Sequence, residues 1–546
     1  MDRRDFFKRS GNTITATHKP EKISRIMIDT GLNPYAGSWT VNEVAHLLKR
    51  TMFGAKKADI DYFLTRTPGQ AVDELLNGTT PNPPVRDYGL LEDDDGVFYD
   101  DLGVMQGQTW VNDPNQLSNP EIRGAINSRR IESLKKWWAG LIINQGRSIQ
   151  EKMVLFWHHH FSIQESEVGN AQFLYKHHNL LRTNVLGSFK TLAREVTIDP
   201  AMLLHLNGYL NSRQAPDENY AREMQELFTV GRGNDSLYTE DDVIAAARVL
   251  TGWRINDDLM TSYFDSNAHD TGAKTFTAFY NNTTIAGSTN GQQELDALIN
   301  MIFATEEASK FICRKLYTWF VYYNIDDSVE TNVITPLAAI LRNNNYNVRP
   351  VLDALFKSEH FFDVLNQACY IKSPFDMIVG TLREFNVSFP AYTNYTTGYP
   401  LFYSLYSKAA EMQQELFQPP DVAGWPSYYQ EPMFYELWVN SNSLPKQADY
   451  TDALVNDAVI DIRAFANYSS NPANPNQLID DVTALLLRYP LSATSKTYVK
   501  TRFLLNNTTD DTIWTNAWNS NNAAVINPSL QELFKFLMNL PEFHLC

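Results

Sequence analysis

The stretch EKMVLFWHHHFSIQESEV, residues 151–168, is where the fold of this chain first becomes legible. Met153, Val154, Leu155, Phe156 and Trp157 follow one another without a glycine or proline, so the run reads as the buried face of a helix. Three consecutive histidines, His158 to His160, end it. They could be a metal site, a catalytic base or the polar end of a core helix. Successive helical residues turn through about 100°, which leaves His158 and His160 roughly 160° apart, too divergent for one ion. They converge only if the helix ends at about His158 and the chain then runs extended, with alternate residues on one side. Otherwise His158 caps the helix through a hydrogen bond, and His159 and His160 meet solvent.

Outward from this run the pattern stays helical. It holds from about Asn119 to Trp253, resumes in GQQELDALINMIF and FICRKLYTWFVYY, and continues through VLDALFKSEHFF and SPFDMIVGTLREF. Capping signals mark the starts: Thr40 with Glu43, Thr239 with Asp242, and Ser373 followed by Pro374. The spacing predicts a mainly α, multi-lobed protein with a small β-hairpin insert. A tail to residue 38 precedes a helical lobe over 39–255 that carries the His and Glu motifs. An irregular insert with alternation in KTFTAFY spans 256–290, and helical lobes over 291–440 and 441–546 follow.

At 546 residues the chain is too long for one ordinary core. A formal net charge of -17 and the lack of any Lys/Arg run argue against nucleic acid as a partner, since phosphate neutralisation needs a basic face. No stretch approaches the ~18 apolar residues of a membrane span. Cys313, Cys369 and Cys546 give neither a disulfide framework nor zinc spacing. RRDFFK near the start looks like the twin-arginine export signature, but a polar segment replaces the apolar region such a signal needs. A periplasmic setting and a cytoplasmic one both stay open.

Three further blocks could carry chemistry. In PDENYAREMQELFTVGRG, Glu223 and Glu226 lie three apart on one helix face, a spacing used in bundle metal sites, although no Glu-x-x-His accompanies them. Glu218 and Arg222 are spaced for an i,i+4 ion pair. In NAHDTGAK, His269 could ligate a metal or act as a base, Asp270 could orient it, and Lys274 could hold an anion; the plainer reading is a turn. LFQPPDVAGWP reads as a rigid elbow, with Trp425 a stacking platform if exposed. No Walker loop, dinucleotide fingerprint, nucleophile elbow or HExxH is present.

HLLKRTMFG, EKMVLFWHHHF, DPAMLLHLNGYLNSRQAPDENYAREMQELFTVG, YTEDDVIAAARVLTGW, HDTGAK, FICRKLYTWFV, KSPFD, LFQPPDVAGWP and LPEFHLC occur here in that order. Together they resemble the bacterial family catalogued as Domain of Unknown Function 1800. The resemblance implies an extracytoplasmic setting and a sulfatase-like partner protein, but no reaction. The family's WHxHF pattern makes His158 and His160 the pair to watch and His159 the variable position. Leu206-Asn207-Gly208 departs from the family's LDN, Pro216-Asp217-Glu218-Asn219 from its PNEN, and Ser-Tyr-Tyr follows Trp425-Pro426 where glycines are usual.

Two expectations follow. One is a metal-dependent enzyme, hydrolytic or redox, with a divalent transition metal on His158, His160 and His269. Glu223 or Glu226 would then be a further ligand or base, and Arg222 and Lys274 would hold an anion. The other is a non-catalytic assembly or surface protein working with the sulfatase-like partner.

Overall fold

The computed structural model describes residues 30–92, 95–101, 103–113, 120–233, 236–425 and 438–546. The RRDFFK signature and the turn after Trp425 lie outside them. Helices dominate, and the described strands form three two-stranded antiparallel sheets. Trp253–Asn256 pairs with Thr261–Phe264, and Lys274–Thr275 with Thr284–Ile285, so the insert holds the expected hairpin and a second one, although of KTFTAFY only Lys274–Thr275 is strand and Ala278–Tyr280 forms a 3-10 turn. Leu91–Glu92 with Phe98–Tyr99 forms a third hairpin inside the Pro- and Asp-rich loop, where no period announces it.

The capping boxes of Thr40, Thr239 and Ser373 all form. Asp242 does more than cap: its buried carboxylate also accepts from the Thr277 backbone N–H and hydroxyl (both 2.7 Å), which ties the insert to the helix Glu240–Val249. Residues 30–38, the end of the expected tail, lie against the segment after Phe356, with Tyr35 N–H on Lys357 O (2.7 Å) and Glu359 N–H on Asn33 O (2.8 Å).

Buried hydrophobic residues from Val44 to Cys546 form one contiguous cluster that crosses the boundaries between the expected lobes. Within it lies the helix Gln150–His160, all eleven residues of which are buried. Such a helix has no polar face, so each charge it carries needs a partner inside. Glu151 receives a bidentate bond from Arg182 (2.6 and 2.7 Å), and Lys152 is paired with Asp376. Close backbone approach completes the packing: a Cβ on Gly54, at φ +76°, would lie 2.6 Å from Gly380 O, so the turn after the helix Val41–Thr51 meets the helix Pro374–Glu384 glycine to glycine.

Among the described residues no helix is long and apolar enough to cross a membrane. The three cysteines are free.

Candidate functional site

The helix begun at Gln150 does not stop at His158; it continues through His160. The condition for His158 and His160 to converge is therefore not met, and the two rings serve different neighbours. His158 Nε2 accepts the backbone N–H of Phe417 (3.2 Å), and His160 Nε2 donates to Phe228 O (3.0 Å). His159, expected at the surface with His160, is 1% exposed, and its Nδ1 accepts the backbone N–H of Trp425 (3.2 Å). Solvent exposure of His159 and His160 is corrected because the helix is enclosed on every side.

An N–H can only donate, so His158 and His159 must present a lone pair at those nitrogens; both rings are neutral. Burial, and then Lys315 nearby, pushes His159 down to about 3. Burial likewise holds His158 and His160 well below the usual imidazole range.

The elbow block thus clamps onto the histidine block. Glu165 N–H bonds Phe417 O (2.7 Å), Ser162 Oγ bonds Asp421 O (3.0 Å), and Gln164 Nε2 bonds Pro419 O (2.9 Å). Trp425 is 1% exposed and is not a surface platform. Its indole instead stacks on His159 (centroids 6.1 Å apart), as does that of Trp319, at 5.6 Å.

The other candidates are dispersed. Arg222 pairs with Glu218 (3.1 Å) and Glu240 (2.8 Å). The chain turns from α- to π-helix at Met224, and Glu226 pairs with Arg232 (2.9 Å). Glu223 is pushed up to about 7 by burial and then by Glu226, with Asp421 adding to this and Arg222 opposing. Asp270 does not orient His269; Arg248 holds it at 2.7 Å and keeps its carboxyl low. His269 Nδ1 donates to Thr251 O (2.8 Å), while its Nε2 lies 3.1 Å from Glu294 Oε1, off the line of a hydrogen bond. Asn207, which stands where the resemblance led us to expect aspartate, sits at φ 57°, a left-handed position that either residue tolerates.

Lys274 is not available to an anion, because it is fully buried and bonded to Glu294 at 2.5 Å. Replacing it alone (Lys274→Met) strands the Glu294 carboxylate in the interior. We expect a loss of about 3 kcal/mol in urea unfolding, with most of it recovered in the double variant Lys274→Met/Glu294→Leu. Unchanged stability in the single variant would show the pair to be unimportant.

His158, His160 and His269 therefore do not make one ligand set. Among the described residues no three His, Cys, Asp or Glu side chains come together in a way that could hold a metal ion.

What the structure does bring together was missed in the sequence. Behind Trp425 lies a cavity of about 10 Å³, bordered by Arg50, Lys152, His159, Trp319, Tyr370, Gln414, Trp425 and Trp438, with Ser373 and Asp376 of the KSPFD turn also in its wall. The volume admits roughly one water-sized group. Most of its residues come from separate blocks: HLLKRTMFG, EKMVLFWHHHF, FICRKLYTWFV, KSPFD and LFQPPDVAGWP. Arg50 is 2% exposed and bonds only carbonyls and sulfur: Phe320 O (2.9 Å), Trp319 O (3.0 Å) and Cys546 Sγ (3.2 Å). It meets no carboxylate among the described residues. Its guanidinium lies 4.0 Å from the centre of the Tyr370 ring. Among the described residues, Trp319 Nε1, Trp425 Nε1 and Gln414 Nε2 are buried donors without a partner. The available signal was a charged residue, Arg50 or Lys152, set within the apolar part of a helix.

A family model described as a protein of unknown function (DUF1800) matches residues 46–545. No curated protein and no solved structure matches the chain.

Proposed function

The chain belongs to the DUF1800 family, and we propose that it is a binding protein for a small molecule. The buried end of the ligand sits between Arg50, Lys152, Gln414 and the indoles of Trp319 and Trp425. One observation carries this reading: three buried N–H donors that have no partner among the described residues border a single cavity. Each such donor costs about 1–3 kcal/mol if nothing accepts from it, so three in one place describe a surface completed by something else. On this reading the histidines are structural. His158 and His159 fix the elbow that carries Trp425, and the elbow closes the cavity.

The test is a thermal-shift screen of polar metabolite-sized compounds against wild type and Trp425→Phe, which keeps an aromatic ring beside His159 and removes the indole N–H together with part of the bicycle. A true ligand at a hundredfold excess over Kd stabilises by about 2.7 kcal/mol. We expect at least one compound to do so in wild type and to lose most of the effect in the variant. Every active compound stabilising both proteins equally, or none stabilising wild type, would overturn the reading.

A further inference from the structure

We infer that a second, larger cleft, at the start of the helix Gln150–His160, binds a neutral saccharide. The inference is independent of the cavity behind Trp425. The cleft holds about 490 Å³, within the roughly 300–1,000 Å³ usual for a small-molecule site. It lies where the loop after the helix Pro68–Leu75, the turn after the helix Pro120–Ile143 and the first turn of Gln150–His160 come together, with Tyr392 in its wall.

The wall is held in place before anything binds. Gln150 pairs with the backbone of Thr79: its Oε1 accepts the N–H (2.6 Å) and its Nε2 donates to the carbonyl (2.7 Å). Ile149 N–H bonds Leu75 O (2.9 Å), and Ser148 Oγ bonds Asn77 O. A surface fixed in this way gives up little freedom on binding.

Hydrogen-bonding sense selects the ligand. Asn77 gives its amide hydrogens to Asp73 O (3.2 Å) and Glu74 O (2.7 Å), and Asn144 gives its own to Gly140 O and Pro390 O (both 3.0 Å). Each therefore has its oxygen left to offer. Tyr392 is the converse: its hydroxyl accepts the Asn82 N–H (3.1 Å) and keeps a hydrogen to give. The Thr79 and Thr80 hydroxyls can do either. Neutral groups of both senses match a ligand made of hydroxyls, each of which donates and accepts. Pro81, Leu141 and the Tyr392 ring add apolar surface for the C–H faces of a sugar ring.

Charge argues against an ion. Arg182 is held by Glu151 (2.6 and 2.7 Å) and Arg147 by Glu74 (3.1 Å), so both guanidinium groups in the wall are matched. An anion would have to displace a carboxylate from its arginine, and a cation would have to enter beside two arginines.

The experiment titrates D-glucose, maltose, cellobiose and N,N′-diacetylchitobiose into the full chain by calorimetry. Heat of binding is read directly, apart from the general stabilisation that concentrated sugars give any protein. Glucose 6-phosphate and spermidine are the charged controls. We expect saturable binding of at least one neutral sugar, with Kd below about 1 mM, and weaker binding of both controls. Gly146→Phe should weaken it at least tenfold. Gly146 borders the cleft outside the left-handed region, and a Cβ there meets nothing within 4 Å, so the fold accepts a side chain that competes with the sugar for space. Should that variant fail to fold, Tyr392→Phe, which removes one hydroxyl, should weaken binding at least threefold. No saturable binding of any neutral sugar, tighter binding of either control, or unchanged affinity in the folded variants would overturn the inference.

Discussion

Lowering the pH from about 7 to about 5 is expected to remove much of this protein's stability, in a cooperative transition that takes up several protons. The cause is the set of buried imidazoles. Burial lowers His46 and His159 to about 3 and His205 and His544 to about 4, and it holds His158, His160 and His178 well below the ordinary value. The groups facing them reinforce this: Arg50 beside His46, Lys315 beside His159 and His160, Arg182 beside His178, and Lys372 beside His544.

The sign follows directly. In the unfolded chain a histidine takes up a proton below about 6.5, whereas in the folded chain these do not until far lower pH. The unfolded state binds more protons across that window, so stability is full above 6.5 and falls as pH drops toward the folded values. Each such histidine contributes about 1.4 kcal/mol per pH unit within it. Even two of them acting from 6.5 to 5 remove about 4 kcal/mol, a large share of the 5–15 kcal/mol that holds a typical protein folded. Glu223, raised to about 7, works in the opposite direction, by less because solvent screens it. Urea unfolding at pH 7, 6 and 5 measures the slope. A stability that is flat across this range would mean the imidazoles are protonated in the fold, and the acceptor roles of His158 and His159 would be lost with it.

Gly424→Val is expected to be the most damaging single substitution in the elbow, at about 4 kcal/mol or more. Gly424 sits at φ +96°, where a β-branched residue is strained, and a Cβ there would overlap the His159 ring and approach His159 O to 2.6 Å. Neither side can yield easily. His159 is stacked against two indoles, and the elbow is pinned by Phe417 and Trp425. Gly169→Ala provides the comparison. Gly169 also has a positive φ, of 60°, but a Cβ there meets nothing within 4 Å, so only the backbone preference of about 1 kcal/mol is lost. Equal losses in the two variants would show that contact with His159 does not matter. The valine variant should also lose the ligand response proposed for the cavity.

The parts of the fold that local chemistry dictates were readable in advance. Thr40, Thr239 and Ser373 cap helices because their side chains reach their own backbone three residues away, and that information is local. Glu218–Arg222 formed for the same reason. What escaped was whatever depends on distant chain. The spacing of Glu223 and Glu226 presumes α geometry, and the π turn at Met224 alters it. His159 read as the variable, solvent-facing histidine because nothing near it in sequence reveals that Trp425 will close over it. Lys274 and Asp270 read as reactive because their partners, Glu294 and Arg248, lie some twenty residues away. The cavity was invisible for a related reason: no one block contains it.

The histidine helix also has a kinetic side. His158 and the Phe417 N–H it accepts are 259 positions apart. A helix enclosed on all sides has no water-facing surface on which to rest while it waits, and closing so long a loop is slow work for a chain. During synthesis the apolar sides of residues 150–160 stand uncovered while more than two hundred residues are added. The elbow therefore acts as a late latch on a core that is sticky until it closes, and that interval is when this protein most depends on shelter from its neighbours.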